Sequence, residues 1–354
     1  MMKQLMITAG SALLLAGSAA AQTQPETPAQ PNTQKKILLV VSGHGADNGK
    51  TRPGFEMDEL TQAWAVFTGN GMAVDIASPA GGTVVADGFD PDKPYNKRFL
   101  ADAGARAALA ATRSLAEVKA GKYDAVFLVG GKGAMFDLST SADLKEVILA
   151  THGAGGVVGG VCHGPAALMN LVGKDGSSFI AGKAVTGFSN EEERLFGKRW
   201  AARYPVRLED GLKGAGARYS AAPMMLSHVV TDGRLVTGQN PYSTPATAEA
   251  MVKAMGRTPV ARTAYGDERG LALVSLLLSG KAEEARRRMN ADPAGHDVKL
   301  VAMWGYYRTQ SAPDDAAVLA QGLAAMELAA PHFKEPKLAE AITETRARLA
   351  AKGR

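Results

Sequence analysis

The chain has 354 residues, a formal net charge of +5 and 46% hydrophobic residues. This length suggests about two domains, and the hydrophobic content is sufficient for a full core. The small charge, without an arginine-rich block or interleaved aromatic residues, argues against nucleic-acid binding. The single cysteine, Cys162, excludes an internal disulfide and a metal cluster of the Cys-x-x-Cys type.

The first residues have the pattern of a secretory signal peptide. Lys3 precedes a short apolar stretch, and a run of small residues ends at Ala21. The apolar stretch is too short to span a membrane, and no cysteine follows it that could carry a lipid anchor. We predict a signal peptide over residues 1–21, a disordered linker rich in Pro, Thr and Gln over 22–34, and export to a bacterial periplasm.

Alternating strand and helix patterns predict an α/β domain over residues 35–259. Short β-branched apolar runs are typical of buried parallel strands, and the stretches between them have helical spacing. The predicted fold class is α/β, with a flavodoxin-like parallel sheet sandwiched by helices. The main predicted elements are strands at 36–41, 74–78, 123–129 and 157–161, helices at 58–71 and 244–255, and a hairpin at 228–237.

Cys162 is predicted to lie at a nucleophile elbow. It follows the predicted strand at 157–161 and precedes His163-Gly164-Pro165 and a helix-forming stretch. A side chain at such a turn projects over a helix N-terminus, whose dipole should lower the pKa of the thiol. Free cysteines are usually small buried hydrophobic residues, but the flanking glycines favour a catalytic nucleophile here.

The composition changes from about residue 263 onward, where no β-run is present. Apolar periodicity and alanine-rich segments predict a small all-α domain of four to five helices over residues 263–354. Its aromatic cluster, Trp304, Tyr306 and Tyr307, is interpreted as core. We expect this region to serve docking, oligomerisation or covering of the site rather than chemistry.

Three motifs together resemble the ThiJ/PfpI superfamily, which has the class I glutamine-amidotransferase-like fold. They are Gly-Val-Cys-His-Gly-Pro-Ala at 160–166, Gly-x-x-x-x-Glu at 54–59, and Val-Thr-Asp-Gly-Arg-Leu-Val-Thr-Gly-Gln-Asn-Pro at 230–241. A long insert after residues 78–82 resembles the heat-shock-chaperone and glyoxalase III branch. The resemblance covers roughly residues 35–257 and leaves the C-terminal helices outside it.

The resemblance implies that Cys162 is the nucleophile. It also implies that Glu59 hydrogen-bonds the thiol and shuttles protons. Taken alone, Glu59 would be a solvated residue in the first turn of a helix, and the register of the motif is what favours the functional interpretation. Glu56 is the close alternative.

The resemblance further implies a triad in which His163 follows the nucleophile and pairs with an acid. The family register favours Glu193, and Glu192 is the close alternative. A capped acidic helix start would explain the same run of glutamates.

The expected oxyanion and binding contacts follow the third strand. The resemblance implies the Gly130-Gly131 pair, with the N–H of Gly131 and the N–H of His163 as oxyanion donors. The family often has a histidine after the glycine pair, where this chain has Lys132. That difference leaves the usual side-chain contact without a counterpart and adds a positive charge.

The implied activity is glutathione-independent conversion of methylglyoxal or related reactive aldehydes to hydroxy acids, with repair of early glycation adducts by the same first step as a related activity. The resemblance implies no metal and no organic cofactor, and we expect a homodimer. The alternatives are a holding chaperone, a thiol oxidation sensor and a PfpI-type cysteine peptidase. A glutamine amidotransferase is excluded because no His-x-Glu pair follows Cys162.

Overall fold

The computed structural model describes residues 34–118, 122–173 and 175–352. The predicted signal peptide at 1–21 and, except for Gln34, the predicted linker at 22–34 lie outside the described residues. From Gln34 onward the chain forms one compact unit. In the described part, no helix is both long and apolar enough to cross a membrane.

The strands confirm the predicted α/β class. Seven of those in the described residues form one sheet in the order β3-β2-β1-β4-β5-β9-β8, and its neighbours are parallel except for the β8–β9 hairpin. A separate parallel pair is formed by β6 and β7. The bounds are β1 (Lys36–Val40), β2 (Ala73–Ser78), β3 (Arg113–Ser114), β4 (Ala125–Leu128), β5 (Val157–Val161), β6 (Ala184–Val185), β7 (Arg218–Tyr219), β8 (Val229–Asp232) and β9 (Leu235–Gly238).

Helices flank this sheet, so its central strands β1, β4 and β5 are almost completely buried. Because both faces of these strands are buried, their sequences are continuous apolar runs and do not alternate between apolar and polar residues. The helices of this region are α1 (Met57–Gly69), α2 (Pro94–Ala101), α3 (Ala103–Ala110), α4 (Ala142–Gly153), α5 (Ala166–Met169), α6 (Asn190–Phe196), α7 (Lys198–Ala201), α8 (Leu208–Gly214) and α9 (Thr244–Ala254).

A glycine in the central strand β5 allows the closing helix α9 to approach the sheet. A Cβ at Gly159 would overlap the sulfur of Met251 in α9 and would lie 2.9 Å from the carbonyl oxygen of Val236. A larger residue there would require the Met251 side chain to move and would crowd the neighbouring strand β9.

The C-terminal region is helical, as the sequence predicts. Its helices are paired closely enough that a Cβ at Gly305 would lie 2.6 Å from the carbonyl oxygen of Gly322 on the next helix. The bounds are α10 (Gly266–Leu278), α11 (Ala282–Ala291), α12 (Val298–Ser311), α13 (Ala316–Ala329) and α14 (Pro336–Lys352).

The helical region builds its own core, but that core includes residues of the preceding α/β region. Met224, Met225 and Leu226 are buried in the same apolar cluster as Trp304 of α12. The Trp304 indole Nε1–H donates a hydrogen bond to the carbonyl oxygen of Met224 at 2.9 Å. The domain bounds at 35–259 and 263–354 stay a prediction, because the two regions share this packing.

We predict that Trp304→Phe destabilises the protein by about 2–4 kcal/mol, because it leaves a buried carbonyl without its donor and creates a small cavity. Urea unfolding followed by circular dichroism measures this change. Tyr306→Phe is the control: Tyr306 is on the same helix but is exposed, so its change should stay within about 0.5 kcal/mol. Equal stability of the two variants would contradict the shared core.

Candidate active site

The predicted site residues lie at the carboxyl ends of β4 and β5. Gly130-Gly131 follows β4, and Cys162 directly follows β5. The two strands are parallel neighbours in register, so both ends reach the same edge of the sheet. This is where ligands bind in open α/β sheets.

Cys162 occupies a strained elbow. Its φ of 58° lies in the left-handed region, which typically costs a non-glycine residue about 1–3 kcal/mol. The turn is held by the N–H of Cys162, which donates to the carbonyl oxygen of Gly238 at 3.0 Å, and by the N–H of Gly164, which donates to that of Val161 at 2.8 Å. A Cβ at Gly164 would overlap the carbonyl oxygen of Leu128, so the glycine after the elbow is required by space.

A chain of three side chains runs from the thiol into the protein. The Sγ of Cys162 lies 3.4 Å from Nδ1 of His163, and Nε2 of His163 lies 2.8 Å from Oε2 of Glu193. His163 and Glu193 are both almost completely buried. With Nε2–H donated to Glu193, the free Nδ1 can accept the thiol proton, which is the arrangement that activates a nucleophile.

Glu192 has a different environment from its neighbour. Its carboxylate closes the capping box of α6 with Ser189 and also accepts hydrogen bonds from the N–H of Met225 at 2.8 Å, Nε2 of Gln239 at 3.0 Å and Nδ2 of Asn240 at 2.9 Å. Glu192 therefore ties the start of α6 to the segments beside it. The structure brings Glu193, and not Glu192, to the imidazole.

Glu59 lies in the first turn of α1 and is fully buried beside the nucleophile. Its Oε2 accepts the N–H of Gly130 at 2.6 Å, and its carboxyl lies near enough to Cys162 for its charge to raise the pKa of the thiol. A Cβ at Gly130 would lie 2.6 Å from Oε2 of Glu59 and 2.7 Å from the Cβ of Cys162. The absence of a side chain at Gly130 therefore allows the Glu59 carboxyl to lie beside Cys162.

The second glycine directs its backbone at the sulfur. Gly131 has a φ of 93°, and a Cβ there would lie 2.5 Å from the N of Glu56. Its N–H acts to lower the pKa of the Cys162 thiol, against the effect of burial. The N–H of Gly130 is already donated to Glu59, so Gly131 is the member of the pair that can stabilise charge at the reacting centre.

Burial dominates the electrostatics of the site. Burial, followed by the nearby charge of Glu56, raises the pKa of the Glu59 carboxyl well above its usual range. Burial also raises the pKa of Glu56 to about 7, Asp58 adds to the rise, and Lys132 opposes it. Glu59 is thus able to hold a proton near neutral pH.

The prediction that the pKa of the Cys162 thiol is lowered is wrong for the folded protein. Burial, followed by the charge of Glu59, raises the pKa of Cys162, while the N–H of Gly131 and the charge of Lys132 act in the opposite direction. The helix after the elbow, α5, has only four residues, so its dipole is a weak competitor. A negative charge on the Glu59 carboxyl therefore disfavours ionisation of the thiol.

A cavity of about 300 Å³ leads to the sulfur. Sequence reasoning did not assign most of its lining, which is built by loops and helices far apart along the chain. Two lining residues, Met303 and Tyr307, come from α12 in the helical region, whose aromatic residues the sequence predicts to be core. The lining comprises Glu56, Gly131, Lys132, Cys162, His163, Phe188, Glu192, Phe196, Lys198, Met225, Asn240, Pro241, Tyr242, Met303 and Tyr307.

Potential metal ligands are not clustered at this site. Among residues 34–118, 122–173 and 175–352, no group of three or more His, Cys, Asp or Glu side chains is arranged to hold a metal ion.

Residues 51–254 match the model of the DJ-1/PfpI family. The chain belongs to this family. Among its relatives, a protein of Saccharomyces cerevisiae named glutathione-independent glyoxalase HSP31 is 32% identical over 62% of this chain and 98% of its own length. Glyoxalase 3 of Candida albicans is 29% identical over 62% of this chain and 98% of its own length.

Solved structures of related proteins have the same fold. The Rapid Encystment Protein 24 KDa of Francisella tularensis is 34% identical, with a TM-score of 0.59 over 63% of this chain and 99% of its own. Glyoxalase III of Candida albicans is 29% identical, with a TM-score of 0.57 over 62% of this chain and 97% of its own. The family match ends at residue 254, before the C-terminal helices begin.

We predict that Glu59→Gln makes Cys162 of this DJ-1/PfpI site easier to alkylate and at the same time lowers the turnover of dicarbonyl substrates. The amide removes the second cause of the raised thiol pKa, so that pKa should fall and alkylation by iodoacetamide should begin at lower pH. Dicarbonyl turnover should drop by about 10²–10⁴-fold, because the amide cannot carry the proton.

Alkylation is specific to Cys162, since the chain has no other cysteine. Glu340→Gln, the same substitution at an exposed position of α14, is the control and should change neither readout. An alkylation profile displaced to higher pH in Glu59→Gln would show that the carboxyl acts on the thiol in another way.

Proposed function

We propose that the protein is a cysteine-dependent, glutathione-independent glyoxalase that converts methylglyoxal or related 2-oxoaldehydes to 2-hydroxy acids. The observation that carries the proposal is the position of the thiol. Cys162 lies beside the buried Glu59 and is linked through His163 to Glu193, and both Cys162 and His163 line one cavity. The relatives named as glyoxalases support it.

The first step is addition of the thiolate to the aldehyde. His163 takes the thiol proton through Nδ1, and the resulting imidazolium is stabilised by Glu193 at 2.8 Å. The sulfur forms a bond to the aldehyde carbon, and the carbonyl electrons move to its oxygen. The N–H of Gly131 stabilises that oxygen until it is protonated, which gives a hemithioacetal.

The second step moves hydrogen between neighbouring carbons. In its ionised form, Glu59 removes the proton from the carbon bonded to sulfur, which gives an enediol, and then returns a proton to the adjacent carbon. The first carbon is oxidised to a thioester while the second is reduced to an alcohol, so no external oxidant is needed. The raised pKa of Glu59 suits a group that accepts and returns a proton near neutral pH.

Hydrolysis completes the reaction. Water attacks the thioester carbonyl, the carbon–sulfur bond breaks, and the hydroxy acid leaves as the thiol is regenerated. Removal of early glycation adducts from amino groups would begin with the same attack by Cys162. We therefore propose this deglycase activity as a second use of the same site.

We predict that the purified protein forms D-lactate from methylglyoxal without glutathione, and that Cys162→Ser has no measurable turnover because its alcohol is not ionised near neutral pH. A coupled D-lactate assay measures this reaction. Wild-type protein alkylated beforehand with iodoacetamide is the second inactive control. Absence of turnover in the unmodified protein would reject the glyoxalase proposal. Suppression of client aggregation that persists in Cys162→Ser would then favour the holding chaperone.

We also propose that the enzyme is exported and acts as a homodimer, on the basis of the signal pattern at residues 1–21 and of the family resemblance. Native mass spectrometry of the protein isolated from an exporting bacterial host tests both points in one spectrum. The expected species is a dimer whose chains begin at Gln22. A chain that keeps residues 1–21 would count against export, and a monomer would count against the dimer.

A further inference from the structure

One side of the catalytic cavity is supplied by α12. Met303 and Tyr307 line the same cavity as Cys162. The ring of Tyr307 contacts that of Phe196 on α6 edge-on, with centroids 4.9 Å apart. We call Met303 and Tyr307 the α12 wall.

The α12 wall is fixed to the α/β region by polar contacts at its own helix. Arg308, the residue after Tyr307, forms an ion pair with Glu191 of α6 at 2.8 Å. The guanidinium of Arg194 donates to the carbonyl oxygen of Ser311 at the end of α12. With the hydrogen bond of Trp304 described above, these contacts hold α12 along its length against the residues around the site.

The α12 wall is an addition to the family domain. It lies beyond residues 51–254, which match the family. Related structures are covered to 97–99% of their length by only 62–63% of this chain. The wall therefore changes the lining of a catalytic cavity whose reactive groups belong to the family domain.

The α12 wall adds apolar surface to a cavity that is already apolar on several sides. The rings of Phe188, Phe196 and Tyr242 and the side chain of Met225 also line it. Methylglyoxal carries a single methyl group and would leave most of a cavity of about 300 Å³ without substrate contacts. Apolar lining of this kind favours a ligand that buries its own apolar surface.

We propose that the α12 wall is the specificity determinant of the enzyme and that it fits 2-oxoaldehydes with an aryl or long alkyl substituent on the ketone. This proposal rests on the proposed glyoxalase function. The dicarbonyl group reacts at Cys162, and the substituent packs against Met303 and Tyr307.

Kinetics with two substrates test the wall. In Tyr307→Ala, kcat/KM for phenylglyoxal should fall about tenfold, in the range measured for lost apolar pocket contacts, mainly through KM. The value for methylglyoxal should fall less, because its single methyl group has less apolar surface to bury against the wall. Tyr307→Phe keeps the ring and should retain the preference for phenylglyoxal. An unchanged or increased preference for phenylglyoxal in Tyr307→Ala overturns the proposal.

Alkylation of Cys162 gives a readout that needs no turnover. Phenacyl bromide and iodoacetamide both react by displacement of halide by the thiolate, and only the first carries an aryl group. The ratio of their rates on the wild type, normalised to N-acetylcysteine, should exceed one and should fall several-fold in Tyr307→Ala. Met303→Ala should act in the same direction, and it serves as the second variant if thermal unfolding shows that Tyr307→Ala does not fold.

The two measurements separate failure of the wall from failure of the function. If neither oxoaldehyde is turned over but the alkylation ratio falls in the wall variants, the glyoxalase proposal fails and the α12 wall stands as the determinant of what reaches the thiol. If turnover is present, but the wall variants change neither the kcat/KM preference for phenylglyoxal nor the ratio of the two alkylation rates, the wall proposal is wrong and the function stands.

Discussion

The contact of Glu59, Gly130 and Cys162 is the constraint on which the rest of the site depends. A carboxyl in the first turn of α1 and the nucleophile at the end of β5 can both pack against Gly130 only because that residue has no side chain. The N–H of that glycine also fixes the carboxyl at 2.6 Å. The elbow contributes the other half of the constraint, since a φ of 58° at Cys162 turns its side chain out of the strand direction.

The same close contact decides the protonation of the site. A helix dipole at a partly exposed position typically changes a charge state by about 0.3–1 kcal/mol, whereas taking an ion out of water costs several kcal/mol. Burial therefore outweighs the dipole, and the pKa of Cys162 rises rather than falls. The thiolate must form by transfer to a partner inside the site, for which His163 and Glu59 are both in place. A buried nucleophile of this kind depends on its partners more than an exposed one does.

Local patterns in the sequence were sufficient for the sheet and the elbow, because β-branched runs, glycines and turn residues act over a few positions. They were not sufficient to choose between Glu192 and Glu193. Consecutive helical residues point about 100° apart, and only the direction of α6 relative to the elbow decides which of them meets His163. The motif register favoured Glu193, which is the residue that contacts the imidazole at 2.8 Å.

The aromatic segment of α12 shows a second limit of sequence reasoning. Trp304 is fully buried and Tyr307 lines the cavity, although the two are three positions apart on one helical face. Their spacing predicts that they share one apolar face of the helix. It does not predict what they contact, because both Met224, the partner of Trp304, and Phe196, the partner of Tyr307, lie in the α/β region.

This arrangement couples folding of the helical region to the shape of the cavity. Trp304 holds α12 against Met224, and the neighbouring Met225 lies in the same apolar cluster while also lining the cavity. A change that loosens the shared core can therefore displace both Met225 and Tyr307 from the cavity. Because close-packed interiors transmit such displacements, a helical segment that contributes no reactive group can still alter which substrates reach Cys162. Stability and specificity should then vary together in variants of the shared core, and separately in variants of the cavity-facing side of α12.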